Sequence, residues 1–210
     1  MGENLIITEN LDRVIRTRRS VRQFTEEIPS KDSILQIVEA GRLAPYAGLA
    51  HHGTDDFRKF YVISKDSKEI NVIKSLIIEA VRSKMVELEK ENNPKHEPML
   101  NGMRMLIKNG PPIGKAPWLI IAAERRGFPS REEQAIAYCM ENMWLKATSL
   151  GLGIQLVSAI SDLNYNSQFS ELLGLQQGEF CFDAFSIGYP VKAFSETPRK
   201  EPVLSVTWFE

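Results

Sequence analysis

Between residues 118 and 150 the chain places a strand with no polar face beside a helix with almost none, so both must be buried. Leu119, Ile120, Ile121, Ala122 and Ala123 make residues 118–124 apolar on both sides. A strand of that kind needs a covering layer on each face of its sheet. Ser130 and Glu133 have the spacing of a capping box, which predicts a helix over residues 130–150, stopped by Gly151. Ala135, Ile136, Ala137, Met140, Met143, Trp144, Leu145 and Ala147 leave it little polar surface. Such a helix lies centrally in the fold or in an interface between two copies.

The remaining periodicities fill in the layers. Leu11, Val14 and Ile15 share a face and predict a helix over 10–19. Pro29-Ser30 opens a second helix with Ser30 as its N-cap, and Ala44-Pro45 ends it. Further helices are predicted over 69–91, 99–107 and 162–173, the last closed by Gly174. Strands are predicted over 57–64, 154–160, 180–187 and 203–209. Long helices between strands give an α/β or α+β class with a mixed sheet between helices. A chain of 210 residues suits one domain.

Composition narrows the function. Hydrophobic residues make up 43% and the formal net charge is -1, which argues against a surface built for nucleic acid or anionic membranes. No apolar run approaches the roughly 20 residues of a membrane span. The first residues lack a basic segment followed by a long apolar one, so no secretory signal is expected and the default location is cytoplasmic. Cys139 and Cys181 stand in apolar neighbourhoods and read as buried thiols. His51 and His52 are adjacent with no third ligand spaced nearby, so no metal is expected.

Against this near-neutral background, Arg13, Arg16, Arg18, Arg19 and Arg22 crowd into ten residues. Within them runs Arg18-Arg19-Ser20-Val21-Arg22-Gln23-Phe24. Guanidinium forks beside a short hydroxyl suit a phosphate, whose oxygens they meet two at a time. No GxGxxG, Walker A, GxSxG or HExxH pattern competes with this signal. No side chain is therefore expected as a catalytic nucleophile.

Four separated segments resemble the nitroreductase family of FMN-dependent oxidoreductases. They are the segment 18–24, similar to RRSxRxF; the helix end at residues 37–45; Asn142 with the LGLG turn at 150–153; and Ile187-Gly188-Tyr189-Pro190 with Pro198-Arg199-Lys200 behind it. The resemblance implies a single α+β domain over 1–210, a three-layer α/β/α sandwich. It would carry an excursion at about 66–116 and an extension at about 191–210. It further implies a homodimer with FMN at the interface, NAD(P)H as transient electron donor, and a small electron-poor acceptor such as a nitroaromatic or quinone. Neither nucleic acid nor membrane is an expected partner.

Residue by residue, the resemblance assigns Arg18 and Ser20 to the FMN phosphate, Arg19 to a further contact with the cofactor and Arg22 to the pyrimidine edge. Arg199 joins the phosphate, with Lys200 standing in for the lysine that Thr197 replaces. Leu156, Val157, Ser158 and Ala159 lie along the flavin, with backbone N–H groups near Ser158 and Ala159 facing it. Pro45, Tyr46, Ala47 and Gly48 border the site. The family pattern breaks there, with Tyr46, Leu49, His51 and Gly53 where APSxxNxQPW has Ser, Asn, Gln and Trp. That break motivates a second reading, an FMN-binding sensor or carrier with little NAD(P)H turnover. Phe128 is a candidate to cover a partner's flavin.

Overall fold

A computed structural model describes residues 2–48, 55–194 and 205–209. The helices are α1 (Gly2–Thr17), α2 (Lys31–Arg42), α3 (Lys68–Glu91), α4 (Glu97–Asn109), α5 (Glu132–Ser149) and α6 (Ser167–Leu172). The strands are β1 (Arg58–Ser64), β2 (Trp118–Arg125), β3 (Gly153–Leu156) and β4 (Phe180–Gly188), in the order β1-β2-β4-β3. All three strand pairings are antiparallel. The mixed character expected of the sheet is confined to one parallel bridge, between Ser20 and Ile154.

The two-sided strand read from the sequence explains the layering. Side chains alternate along β2. Leu119, Ile121 and Ala123 join Ile70, Ile73 and Ile77 of α3 on one face, with Phe180 and Phe182 of β4. Ile120 and Ala122 join Ile34 and Ile37 of α2 and Met140 and Met143 of α5 on the other, with Phe185 and Ile187. Each fully buried side chain of this size contributes about 1.5–3 kcal/mol. The segment expected as an excursion supplies core residues too, since α4 adds Met103 to the α3 face.

Several local expectations are corrected. The capping box does not form at α5. Glu132 takes its place, accepting from the Arg131 N–H at 2.9 Å and the Ser130 hydroxyl at 2.9 Å. The strand predicted over 154–160 stops at Leu156, and Ser158–Leu163 is a 3-10 helix. The helix predicted over 162–173 is thereby split, and α6 starts afresh where Asn166 caps the Phe169 N–H at 2.9 Å. Residues 205–209 form no strand, while Val203 and Leu204 lie outside the described residues. The helix predicted over 10–19 begins at Gly2 and ends at Thr17, whereas the Ser30 cap forms as expected, on the Ser33 N–H at 3.1 Å.

One ion pair joins the layers. Arg58 of β1 and Glu124 of β2 are register partners, with Nε 2.5 Å from Oε2 and side-chain exposures of 2% and 0%. Arg58 also donates to the carbonyls of Gly41 at 2.7 Å, Ala44 at 3.2 Å, Pro45 at 3.3 Å and Ala135 at 3.4 Å. Burial pushes the Glu124 carboxyl up from its ordinary range, and the Arg58 guanidinium opposes that rise. Removing one partner strands the other charge in the core. Arg58→Met is therefore expected to lose about 3–5 kcal/mol of stability, read as a shift in the urea midpoint at constant slope.

Candidate functional site

Beyond α1 the arginine-rich segment runs out along the free edge of β3. Ser20 bridges Ile154, and the Val21 N–H donates to the Ile154 carbonyl at 2.9 Å. Further on, Phe24 bridges Pro190, Val191 N–H donates to Gln23 O at 3.1 Å, and Thr25 N–H donates to Tyr189 O at 2.9 Å. Three motifs distant in sequence thus meet at one corner of the sheet: the arginine-serine segment, the LGLG strand and the Tyr189-Pro190 turn. Gly153 makes the approach possible. A Cβ there would stand 2.5 Å from Val21 Cγ2, closer than packed atoms come.

At this corner opens a cleft of about 450 Å³, lined by Arg19, Ser20, Val21, Arg22 and Gln23 on one side and Pro190, Lys192, Ala193 and Phe194 on the other. Among the described residues no carboxylate lines it. Arg19 is fixed by its own backbone, donating to Arg16 O at 2.5 Å and Arg18 O at 2.9 Å. Arg18 is turned onto α5 instead, 3.3 Å from Glu141 and stacked 4.4 Å above the Trp144 ring. Arg22 and Lys192 have neither an ion pair nor a side-chain hydrogen bond among the described residues. Arg199, Lys200, His51 and His52 lie outside the described residues.

The other predicted residues line two more clefts. Pro45, Tyr46 and Ala47 border one of about 240 Å³ against Arg131, Gln134 and Tyr138. Tyr46 stacks on Phe57 with ring centroids 4.0 Å apart. Gly48 ends the described part of this loop, its N–H donating to Tyr46 O at 3.0 Å. Leu156 is exposed and Val157 buried, with the Val157 N–H spent on Ala184 O at 2.8 Å. Ser158 and Ala159 open the 3-10 helix, where the leading N–H groups have no partner within the turn. Ser158 faces a cleft of about 270 Å³ with Glu133, Ser161, Asn164 and Asp183.

Sequence reasoning missed Lys192 and Gln155. Lys192 follows the Tyr189-Pro190 turn closely, and only the pairing with residues 23 and 24 brings it to the arginines. Gln155 holds a buried Oε1 with no hydrogen-bond partner among the described residues, on the strand that Ser20 joins. Cys139 and Cys181 are buried thiols, pushed up to about 12 by burial, and offer no thiolate near neutral pH. Among the described residues no cluster of three His, Cys, Asp or Glu is placed to hold a metal, and no helix is long and apolar enough to cross a membrane.

With this geometry in view, comparison with known proteins gives a consistent result. The model of the nitroreductase family matches residues 15–189. Over 196 residues the chain is 27% identical to YfhC of Bacillus subtilis (strain 168), provisionally named an NAD(P)H nitroreductase, covering 90% of this chain and 89% of that protein. The crystal structure of a BluB-like flavoprotein from Clostridium difficile 630 superposes with a TM-score of 0.67 at 24% identity, covering 92% of this chain and 95% of that one. A nitroreductase with bound FMN from Bacteroides fragilis NCTC 9343 gives a TM-score of 0.66 at 19% identity, covering 94% and 98%. These two structural likenesses establish the fold.

Two substitutions probe the site's framework. Gly153→Ala should push the arginine-serine segment off β3 and cost about 1–3 kcal/mol, the scale of an overpacked core. Adding Val21→Ala should recover part of that loss in a thermal melt, because it removes the atoms that clash. Asp183 carries the opposite sign. Burial pushes its carboxyl up, partly offset by the Ala184 N–H at 2.8 Å. The folded state then binds the proton more tightly than the unfolded one, so stability falls as pH rises from the unfolded pKa through the folded pKa. Asp183→Asn should be more stable than the parent at pH 7, and the gain should shrink as pH falls toward about 4 in paired denaturation curves.

Proposed function

The chain belongs to the nitroreductase family, and we propose that within it the protein is an FMN-dependent NAD(P)H oxidoreductase. The observation that carries this reading is the cleft where three motifs converge, lined among the described residues by three cations, the Ser20 hydroxyl and no carboxylate. That donor set fits a phosphate monoester. The orphaned Gln155 Oε1 offers an acceptor on β3, next in the chain to the Ile154 that Ser20 bridges. When bound, FMN supplies the redox chemistry, taking hydride from NAD(P)H and passing electrons to an acceptor such as a nitroaromatic or quinone in turn.

The protein's own part is binding and electrostatics. Val21 points into β3 over Gly153, so Ser20 and Arg22, one residue to either side, project away from the strand and into the cleft. Arg19 and Ser20 hold the cofactor's anionic end. The leading N–H groups at Ser158 and Ala159 are fixed donors for its ring, needing no particular side chain. Pro45, Tyr46, Ala47 and Gly48 border the acceptor, where the Tyr46–Phe57 stack sets the shape of the pocket. A homodimer with the cofactor at its interface accounts for two further features. The predicted contacts line separate clefts of one protomer. Leu11 and Ile15 of α1 are 52% and 46% exposed. The cytoplasm is the compartment that supplies NAD(P)H.

Purified protein should be yellow, or become so with added FMN, and should bleach when NADH or NADPH is added without oxygen. Steady-state oxidation of NAD(P)H should then be sustained by nitroaromatic or quinone acceptors. Protein that stays colourless with FMN would sink the reading. A bound flavin that NAD(P)H reduces only sluggishly would point instead to a sensor or carrier.

A further inference from the structure

The cleft of about 240 Å³ beside Tyr46 combines aromatic walls with one cation. Arg131, Gln134, Ala135 and Tyr138 stand at i, i+3, i+4 and i+7 from the N-cap of α5, so they share one face of that helix. Tyr46 borders the same cleft from the turn after α2, its ring held by the stack on Phe57. Tyr46 is 50% exposed and Tyr138 55%, so both keep ring surface that a ligand can cover. Arg131 spends one donor on the Ser130 carbonyl at 2.7 Å and has no ion pair among the described residues. Its acidic neighbours are committed elsewhere, Glu132 to Arg126 at 3.1 Å and Glu133 to the cleft that holds Ser158. Among the described residues no carboxylate lines the cleft beside Tyr46.

An apolar cavity of about 150 Å³ holds a benzene ring. A cleft of about 240 Å³ therefore takes one ring with small substituents and is too small for a fused ring system. A guanidinium beside such a ring meets a carboxylate two oxygens at a time, and the Gln134 amide adds a neutral donor. We propose that this cleft selects single-ring aromatic acids as the electron acceptor, with the carboxylate on Arg131 and the ring against Tyr46 and Tyr138. This inference rests on the reading of the protein as an FMN-dependent NAD(P)H oxidoreductase and names the acceptor's class. A nitrobenzoate meets the description. Its nitro group takes up a hydride equivalent and a proton, loses one oxygen as water and becomes a nitroso group, while NAD(P)H is oxidised to NAD(P)+. The carboxylate stays unchanged and serves recognition alone. The break in the family pattern at Tyr46 then has a use, since a ring stands where the pattern has a serine hydroxyl.

Benzoate and benzamide share a ring and differ in charge, so together they separate the anion's share of binding from the ring's. Their dissociation constants are measured by titration calorimetry on the flavin-loaded protein, and 4-nitrobenzoate and nitrobenzene are compared in steady-state turnover. Benzoate should bind the parent about tenfold more tightly than benzamide. Arg131→Ala should weaken benzoate about tenfold, the scale of one charge-assisted hydrogen bond, and leave benzamide within about twofold. The same variant should raise KM for 4-nitrobenzoate with kcat little changed, and leave nitrobenzene turnover as it was. Tyr138→Ala should weaken benzoate and benzamide alike. Equal affinity of the parent for the two ligands would overturn the proposal, as would unchanged benzoate binding in Arg131→Ala. An equal loss of both ligands in Arg131→Ala would overturn the place of the carboxylate, and unaltered binding of both in Tyr138→Ala that of the ring. A parent protein that takes up no flavin would sink the FMN reading and the acceptor assignment with it. Flavin that is bound and bleached by NAD(P)H, with no preference for benzoate, confines the failure to this cleft.

Discussion

The rest of the molecule depends on how Arg58 is held. An arginine with only 2% of its side chain exposed would be costly if any donor lacked a partner. Here Glu124 takes two of its N–H groups, at 2.5 and 3.1 Å, and backbone carbonyls take others. Those carbonyls belong to the end of α2, the turn after it and the first turn of α5. One side chain therefore fixes the sheet against two helices and sets the direction in which the chain leaves Pro45. The Tyr46–Phe57 stack follows from it, since Phe57 immediately precedes Arg58 and its ring lies 5.7 Å from the guanidinium. The turn at Pro45 and Tyr46 inherits its geometry from a core ion pair.

A second constraint builds the cleft. β3 is a short edge strand, and its side away from β4 is open to pairing. An unpaired edge is a template for another extended segment. Residues 20 and 21 take that place but stay only briefly, because the chain then turns to meet the residues after β4 at Phe24. The corner between these two short pairings cannot be filled by backbone, and the cleft is what remains. Its lining is cationic because the segment that turns the corner is the arginine-rich one.

The sequence disclosed the layers and not the corners. The unbroken apolar run in residues 118–124 and the nearly all-apolar helix after it require a three-layer core, and that core is observed. Local chemistry also placed the Ser30 cap, and the structure keeps it. It failed at α5 because Glu132, one residue earlier, reaches both the Arg131 N–H and the Ser130 hydroxyl, leaving Glu133 no cap to complete. It failed at residues 157–160 because β-propensity cannot see that Val157 hands its N–H to Ala184 and ends the ladder. Of the site, the arginine-serine segment was visible as a charge anomaly. Lys192 was not, since a single lysine after a turn carries no signal until the bridge between Phe24 and Pro190 brings it to the cleft that the arginines line.

The same logic sorts the arginine cluster by what neutralises each charge. Arg13 reaches Asn10 Oδ1 at 3.3 Å on its own helix. Arg18 has Glu141 and the face of Trp144. Arg19 donates to two carbonyls of its own segment, which lowers its freedom where it lines the cleft. Arg13 thus has a neutral amide and Arg18 a carboxylate, whereas Arg22 has no counter-charge among the described residues. A fold that pairs its core arginine with a carboxylate and four carbonyls is well able to pair a surface one. Arg22 and Lys192 line one corner cleft with no counter-charge among the described residues, the arrangement expected where the missing negative charge arrives with a ligand.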